Sequence, residues 1–110
     1  MKPFSVEFSD NFRKQLKKLL KKHRSLAIEV AALTYLLAEK PLQGTPLGND
    51  CYKIRLAVKS KGKEKSGGAR IITCVVLVEE RVILLSIYDK SEKETISDSE
   101  LKAVLKEAGL

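Results

Sequence analysis

Cys51-Tyr52-Lys53-Ile54-Arg55-Leu56-Ala57-Val58 decides how this chain folds. Tyr52, Ile54, Leu56 and Val58 alternate with Lys53, Arg55, Ala57 and then Lys59, a period of two that makes a strand with one apolar and one cationic face. Two further strands follow, at residues 69–78 and 82–88, joined by Glu79-Glu80-Arg81. Short connections between strands favour antiparallel neighbours, so the three strands are expected to form a meander. Residues 60–68 between the first two form a basic loop.

Working outward, Phe4, Val6 and Phe8 alternate with Ser5, Glu7 and Ser9, which predicts a half-buried N-terminal strand. From Asp10 the period changes. Phe12, Leu16, Leu19 and Leu20 share one helical face, with bases on the other faces through Arg24. Ser25 is placed to cap a second helix carrying Leu26, Val30, Leu33 and Leu37, which Pro41 stops; Gly44, Pro46 and Gly48 mark an irregular loop. A last helix begins at Ser97 with Glu100 three residues on, a capping box, and shows Leu101, Val104 and Leu105 before Gly109. The expected class is α+β in the order β-α-α-β-β-β-α: a small antiparallel meander sheet packed by an N-terminal helix hairpin, plus a C-terminal helix. Residues 1–110 read as a single domain. The strands at 69–78 and 82–88 are apolar on both faces, so either the last helix or a partner protein must cover the side the hairpin leaves open.

Composition narrows the function. The 110 residues are 44% hydrophobic and 32% charged, which excludes an intrinsically disordered chain. No window approaches the roughly 20 apolar residues of a membrane helix. Met1-Lys2-Pro3-Phe4-Ser5-Val6-Glu7 alternates and carries an acid, unlike a signal peptide. Cys51 and Cys74 lack metal-ligand spacing, and Cys74 reads as core packing, so a reduced, cytoplasmic protein is expected. Net charge is +7 and unevenly spread: residues 10–24 and 53–70 each hold seven bases against one acid. Two such regions on a small domain point to a polyanion, nucleic acid first, with a merely solvated lysine face as the plain alternative for residues 10–24.

Catalytic apparatus of the usual kinds is missing. His23 stands among lysines at the end of the first helix and reads as a helix-end cation. No nucleophile–histidine pair, metal-ligand cluster or phosphate-binding glycine loop is present, so neither a metal nor a small-molecule cofactor is expected. What remains is cations on strands: Lys53 and Arg55 two apart on one face, Arg70 opening the next strand, and Lys90 after the last one beside Tyr88. Converging cations suit a phosphodiester, because arginine binds phosphate oxygens in pairs and stabilises charge that develops in transfer. Crowding by like charge also lowers a lysine pKa toward a usable base. A plain RNA-contacting surface fits the same residues.

The element order, together with Cys51-Tyr52-Lys53-Ile54-Arg55-Leu56, Ala69-Arg70-Ile71-Ile72 and Leu85-Ser86-Ile87-Tyr88-Asp89-Lys90, resembles the RelE/ParE superfamily of bacterial type II toxin–antitoxin toxins over nearly the whole chain. The resemblance to RelE-like members implies a messenger RNA endoribonuclease that works in the ribosomal A site without metal, using the RNA 2′-hydroxyl as nucleophile. The ParE-like alternative is a DNA gyrase poison, and a third is an inactive relic that only binds its antitoxin. Either branch implies a cognate antitoxin as partner. Carried over by position, Lys53 and Arg55 match the family's basic pair, one lysine of which is implicated as general base. Arg70 matches the phosphate-binding arginine, and Lys90 the basic residue after the last strand. RNA contacts are expected from Lys59, Lys61, Lys63 and Lys65 of the loop, from Tyr88, and from Lys17 and Lys21 of the first helix. The family's base-stacking tyrosine falls on Ile96, leaving Tyr88 as the substitute from the neighbouring strand. The loop at 60–68 is longer and more basic than in RelE, the mark of a distinct subgroup.

Overall fold

The architecture follows from two faces of one sheet. A computed structural model describes residues 2–59, 68–93 and 95–110. In chain order the elements are β1 (Ser5–Phe8), α1 (Asp10–Leu20), α2 (Leu26–Glu39), β2 (Thr45–Gly48), β3 (Cys51–Leu56), β4 (Ala69–Val76), β5 (Arg81–Asp89) and α3 (Asp98–Glu107), with a 3₁₀ turn at Leu77–Glu79. The sheet has five strands in the order β1-β5-β4-β3-β2. β3, β4 and β5 pair antiparallel in succession.

The sheet is nonetheless mixed rather than an antiparallel meander. β1 lies parallel to β5, with Ser5 opposite Arg81 and Phe8 opposite Leu84. Alternation along β1 specifies its buried face but not its neighbour. The helix hairpin carries the chain across the sheet, and a bidentate ion pair from the Arg81 guanidinium to the Glu7 carboxylate, at 2.8 and 2.9 Å, clamps the two strands. The second correction is β2. Residues 45–48 form an edge strand on β3 instead of an irregular loop. Asn49 and Asp50 both take positive φ (54° and 61°), the two-residue turn that matches strand twist, and these side chains tolerate it. Pro46 is accommodated because an edge strand has one side without ladder bonds.

On one face, Phe12, Leu19, Leu26, Val30, Leu33 and Leu37 of α1 and α2 bury Ile54, Ile71, Val75, Val82, Leu84 and Ile87. On the other, Leu101 of α3 and Ile96 before it pack with Ile72, Cys74, Ile83 and Leu85. The last helix therefore covers the apolar surplus of β4 and β5. Its capping box forms: Ser97 Oγ accepts from the Glu100 N–H at 3.2 Å while Glu100 Oε1 accepts from the Ser97 N–H at 3.4 Å. α1 stops at Leu20, short of Arg24, and the Ser25 hydroxyl donates to Glu29 Oε1 at 3.1 Å instead of capping α2.

β1 runs out beside Leu84, yet β5 continues to Asp89. Polar side chains at the start of α1 satisfy part of that open edge. Asn11 Nδ2 and Ser9 Oγ donate to the Leu85 carbonyl at 2.9 and 3.2 Å, and Gln15 Oε1 accepts from the Ile87 N–H and the Ser86 hydroxyl, both at 2.9 Å. These contacts fall where β5 bulges, Ile72 facing Ser86 while Thr73 faces Leu84.

Candidate functional site

Val75 N donates to the Asp50 carbonyl at 2.9 Å, which makes residues 50 and 75 a hydrogen-bonded pair across β3 and β4. By alternation Cys51/Cys74, Lys53/Ile72 and Arg55/Arg70 are the non-hydrogen-bonded pairs, in which side chains approach most closely. All of them project on the α3 face. Tyr88 of β5 stands opposite Arg70, so Arg55, Arg70 and Tyr88 form one row across three strands, with Lys53 two residues along β3. Directly opposed like charges repel, a cost that a bound anion would offset.

Access differs along the row. Arg55 is exposed, but Arg70 is only 5% and Tyr88 only 3% exposed. The segment between β5 and α3 folds back over this face. Lys53 Nζ donates to Thr95 Oγ1 at 3.0 Å, the Lys93 ammonium lies 5.1 Å from the centre of the Tyr88 ring, and Ile96 is buried beside Tyr88. Lys93 also pairs with Glu100, which holds that carboxyl below its ordinary range. The Tyr88 ring packs under these residues, and Ile96 occupies the core.

Lys90, half-buried, follows β5, and its N–H donates to the Gly68 carbonyl at 2.9 Å just before Arg70's strand. Lys59 is exposed beyond β3, its N–H donating to Glu29 Oε2 at 2.7 Å. Lys61, Lys63 and Lys65 lie outside the described residues. Lys17 and Lys21 are exposed, but α1 packs on the opposite face of the sheet, so the structure does not join them to the row. His23 follows the end of α1, its N–H donating to the Leu19 carbonyl at 2.9 Å, and its ring lies 3.5 Å from the Asp89 carboxylate at the end of β5. Sequence reading did not single out Lys93 or Thr95, which lie in a connection without periodicity and reach Tyr88 and Lys53 only through folding.

The class of protein these features define, a small α+β domain with cations on a mixed sheet, is found among toxins of toxin–antitoxin systems. A free-state double mutant of the Escherichia coli toxin RelE superposes with a TM-score of 0.57 at 20% identity, covering 97% of this chain and 95% of that one. The isolated E. coli RelE toxin gives 0.58 at 21% identity over 94% and 97%. The Mycobacterium tuberculosis toxin–antitoxin complex RelBE2 gives 0.58 at 22% over 81% and 93%. No curated protein sequence matches significantly. The sequence model of the RelE toxin of the RelE/RelB toxin–antitoxin system matches residues 11–110, and the chain belongs to that family.

Proposed function

We propose that this RelE-family toxin is a ribosome-dependent, metal-independent messenger RNA endoribonuclease acting in the cytoplasm. The observation that carries the reading is the Arg55–Arg70 pair, opposed across a non-hydrogen-bonded position with Lys53 on the same face. The RNA 2′-hydroxyl attacks the adjacent phosphorus, a P–O bond forms, and the 5′-oxygen leaves. Arg70 and Arg55 stabilise the charge gathering on the phosphoryl oxygens, while Lys53 takes the 2′-hydroxyl proton and Lys90 assists at the leaving side. Lys59 and the basic residues after it steer the RNA. Arg70 is buried, and Lys93, Thr95 and Ile96 lie against its neighbours Tyr88 and Lys53, so this face must open for RNA to reach it.

Cell-free translation with purified toxin tests this, message ends being mapped by primer extension with and without ribosomes. Cuts that require ribosomes are expected, and Arg70→Ala should slow them roughly 10²–10³-fold. Full activity in that variant would overturn the assignment.

A second reading has its own support: Tyr88 is buried and Ile96 carries no aromatic ring, so neither position offers one for stacking on a base. That favours a ParE-like gyrase poison, or a relic that binds only its antitoxin. Induction of the DNA-damage response on expression would identify the first, and normal growth the second. A cognate antitoxin is the expected partner under all three readings. An open apolar groove of about 610 Å³ beside α3, bordered by Val76, Leu77, Val78, Leu105 and Leu110, offers it a seat.

A further inference from the structure

By sequence Cys74 is a packing residue and the two cysteines are unrelated; the sheet register makes them a pair. Cys51 and Cys74 are direct partners across β3 and β4 at a non-hydrogen-bonded position, where Cα atoms lie about 4.5 Å apart, within the range of about 4.4–6.8 Å that a disulfide spans. Both are free thiols on the same face, and both approach one acceptor, the Asn49 carbonyl, with sulfurs at 3.4 and 4.0 Å. Cys51 is 1% exposed, but Cys74 lines the groove of about 610 Å³ between α3 and the end of β4, whose other walls include Lys102, Leu105 and Leu77. A small oxidant entering that groove meets Cys74 first, with Cys51 directly behind it.

We infer that Cys51 and Cys74 are a redox-active dithiol which hydrogen peroxide converts to an intramolecular disulfide between β3 and β4. The Cys74 thiolate attacks peroxide; an S–O bond forms, the O–O bond breaks, and the departing hydroxide is protonated to water. The Cys51 sulfur then attacks the Cys74 sulfenic acid; the S–S bond forms, the S–O bond breaks, and the second water leaves with the Cys51 proton. Two thiols are oxidised and one peroxide is reduced to two waters. The order of attack agrees with the closeness of the two thiols: interaction with Cys51 holds Cys74 below the usual thiol range, while Cys51, the more buried group, is pushed well above it. The pair takes no part in the RNA chemistry, so this inference stands or falls apart from it.

The test is intact-mass and alkylation analysis of the purified full chain, reduced, freed of reductant and treated with a small excess of hydrogen peroxide. Alkylated after unfolding in denaturant, both thiols should prove unavailable to iodoacetamide together, and the mass should fall by two hydrogen atoms. A proteolytic digest should contain a Cys51–Cys74 linked peptide, and dithiothreitol should reverse every change. The oxidised chain should melt higher, by on the order of 10 °C, because the link closes the loop between the two strands in the unfolded state. In Cys51→Ala, Cys74 should accumulate as sulfenic acid that dimedone traps. Retained oxygen on the wild-type chain with Cys51 still alkylatable, a covalent dimer, or two thiols still alkylatable would each overturn the inference. The wild-type measurement decides the matter even where a variant fails to fold.

Discussion

Gly44 shows how one residue without a side chain positions the candidate site. Its φ is +92°, and a Cβ there would lie 2.2 Å from the carbonyl oxygen of Lys53, a backbone atom that cannot step aside. Gly109, at φ +80°, has open space where its Cβ would be. Gly109→Ala should therefore cost only the left-handed backbone term, about 1–2 kcal/mol, whereas Gly44→Ala should cost clearly more and disturb the strand carrying Lys53. Urea denaturation of the two variants checks the difference. Thr73 is the converse case: fully buried, with a hydroxyl that meets no hydrogen-bond partner among the described residues. Thr73→Val keeps the branched shape and removes the unsatisfied group, so the chain should gain about 1 kcal/mol, read as a rise in denaturation midpoint with unchanged slope. The sequence marks Gly44 only as a loop residue and Thr73 not at all, because what matters in each is a neighbour from another element.

α1 does two jobs that its amphipathic pattern only half reveals. Phe12, Leu16 and Leu19 announce the buried stripe, but Asn11 and Gln15 look like ordinary surface residues until β5 is seen to outrun β1. Gln15→Ala leaves the Ile87 N–H without its acceptor and should cost about 1–3 kcal/mol, while Gln15→Glu retains an acceptor and should cost less; thermal melts rank them. α3 is held at its start by Ser97 and Glu100. Lys93 and the Ser97 cap lower the Glu100 pKa, so the ionised carboxylate stabilises the folded state. That contribution is present above the unfolded carboxylate pKa of about 4.5 and is lost as pH falls through the lower folded value. Glu7, lowered by Arg81, behaves in the same way at the β1–β5 junction. Melting temperature should therefore drop below pH about 4.5, and Glu100→Gln with Glu7→Gln should flatten that acid limb. Both carboxylates are well exposed, so the change should be modest.

Across the whole molecule, charge is divided between two faces. The strand-borne cations share the α3 face, whereas Lys17 and Lys21 ride on α1 on the other. RNA binding by about four cations should give a log–log salt slope near −3, from roughly −0.7 per phosphate contact. Lys17→Ala with Lys21→Ala should leave that slope unchanged if the single row is the binding surface, as measured by fluorescence titration over a salt series.

Periodicity was enough to find β1, the two helices of the hairpin, the three central strands and the capped last helix, because each buries one face or one stripe and writes that spacing into its residues. It was enough too for the shared face of Lys53 and Arg55, which follows from their separation of two. β2 escaped because Gly44, Pro46 and Gly48 read as loop; its one local signal is the Asn49-Asp50 turn. Which strand β1 joins, that Arg70 and Tyr88 are buried, that Ile96 belongs to a core and that two distant cysteines face one another were all decided by tertiary structure. The physical reason is range: side-chain alternation and capping act within a few residues, whereas strand neighbours, register and cover depend on contacts between segments tens of residues apart.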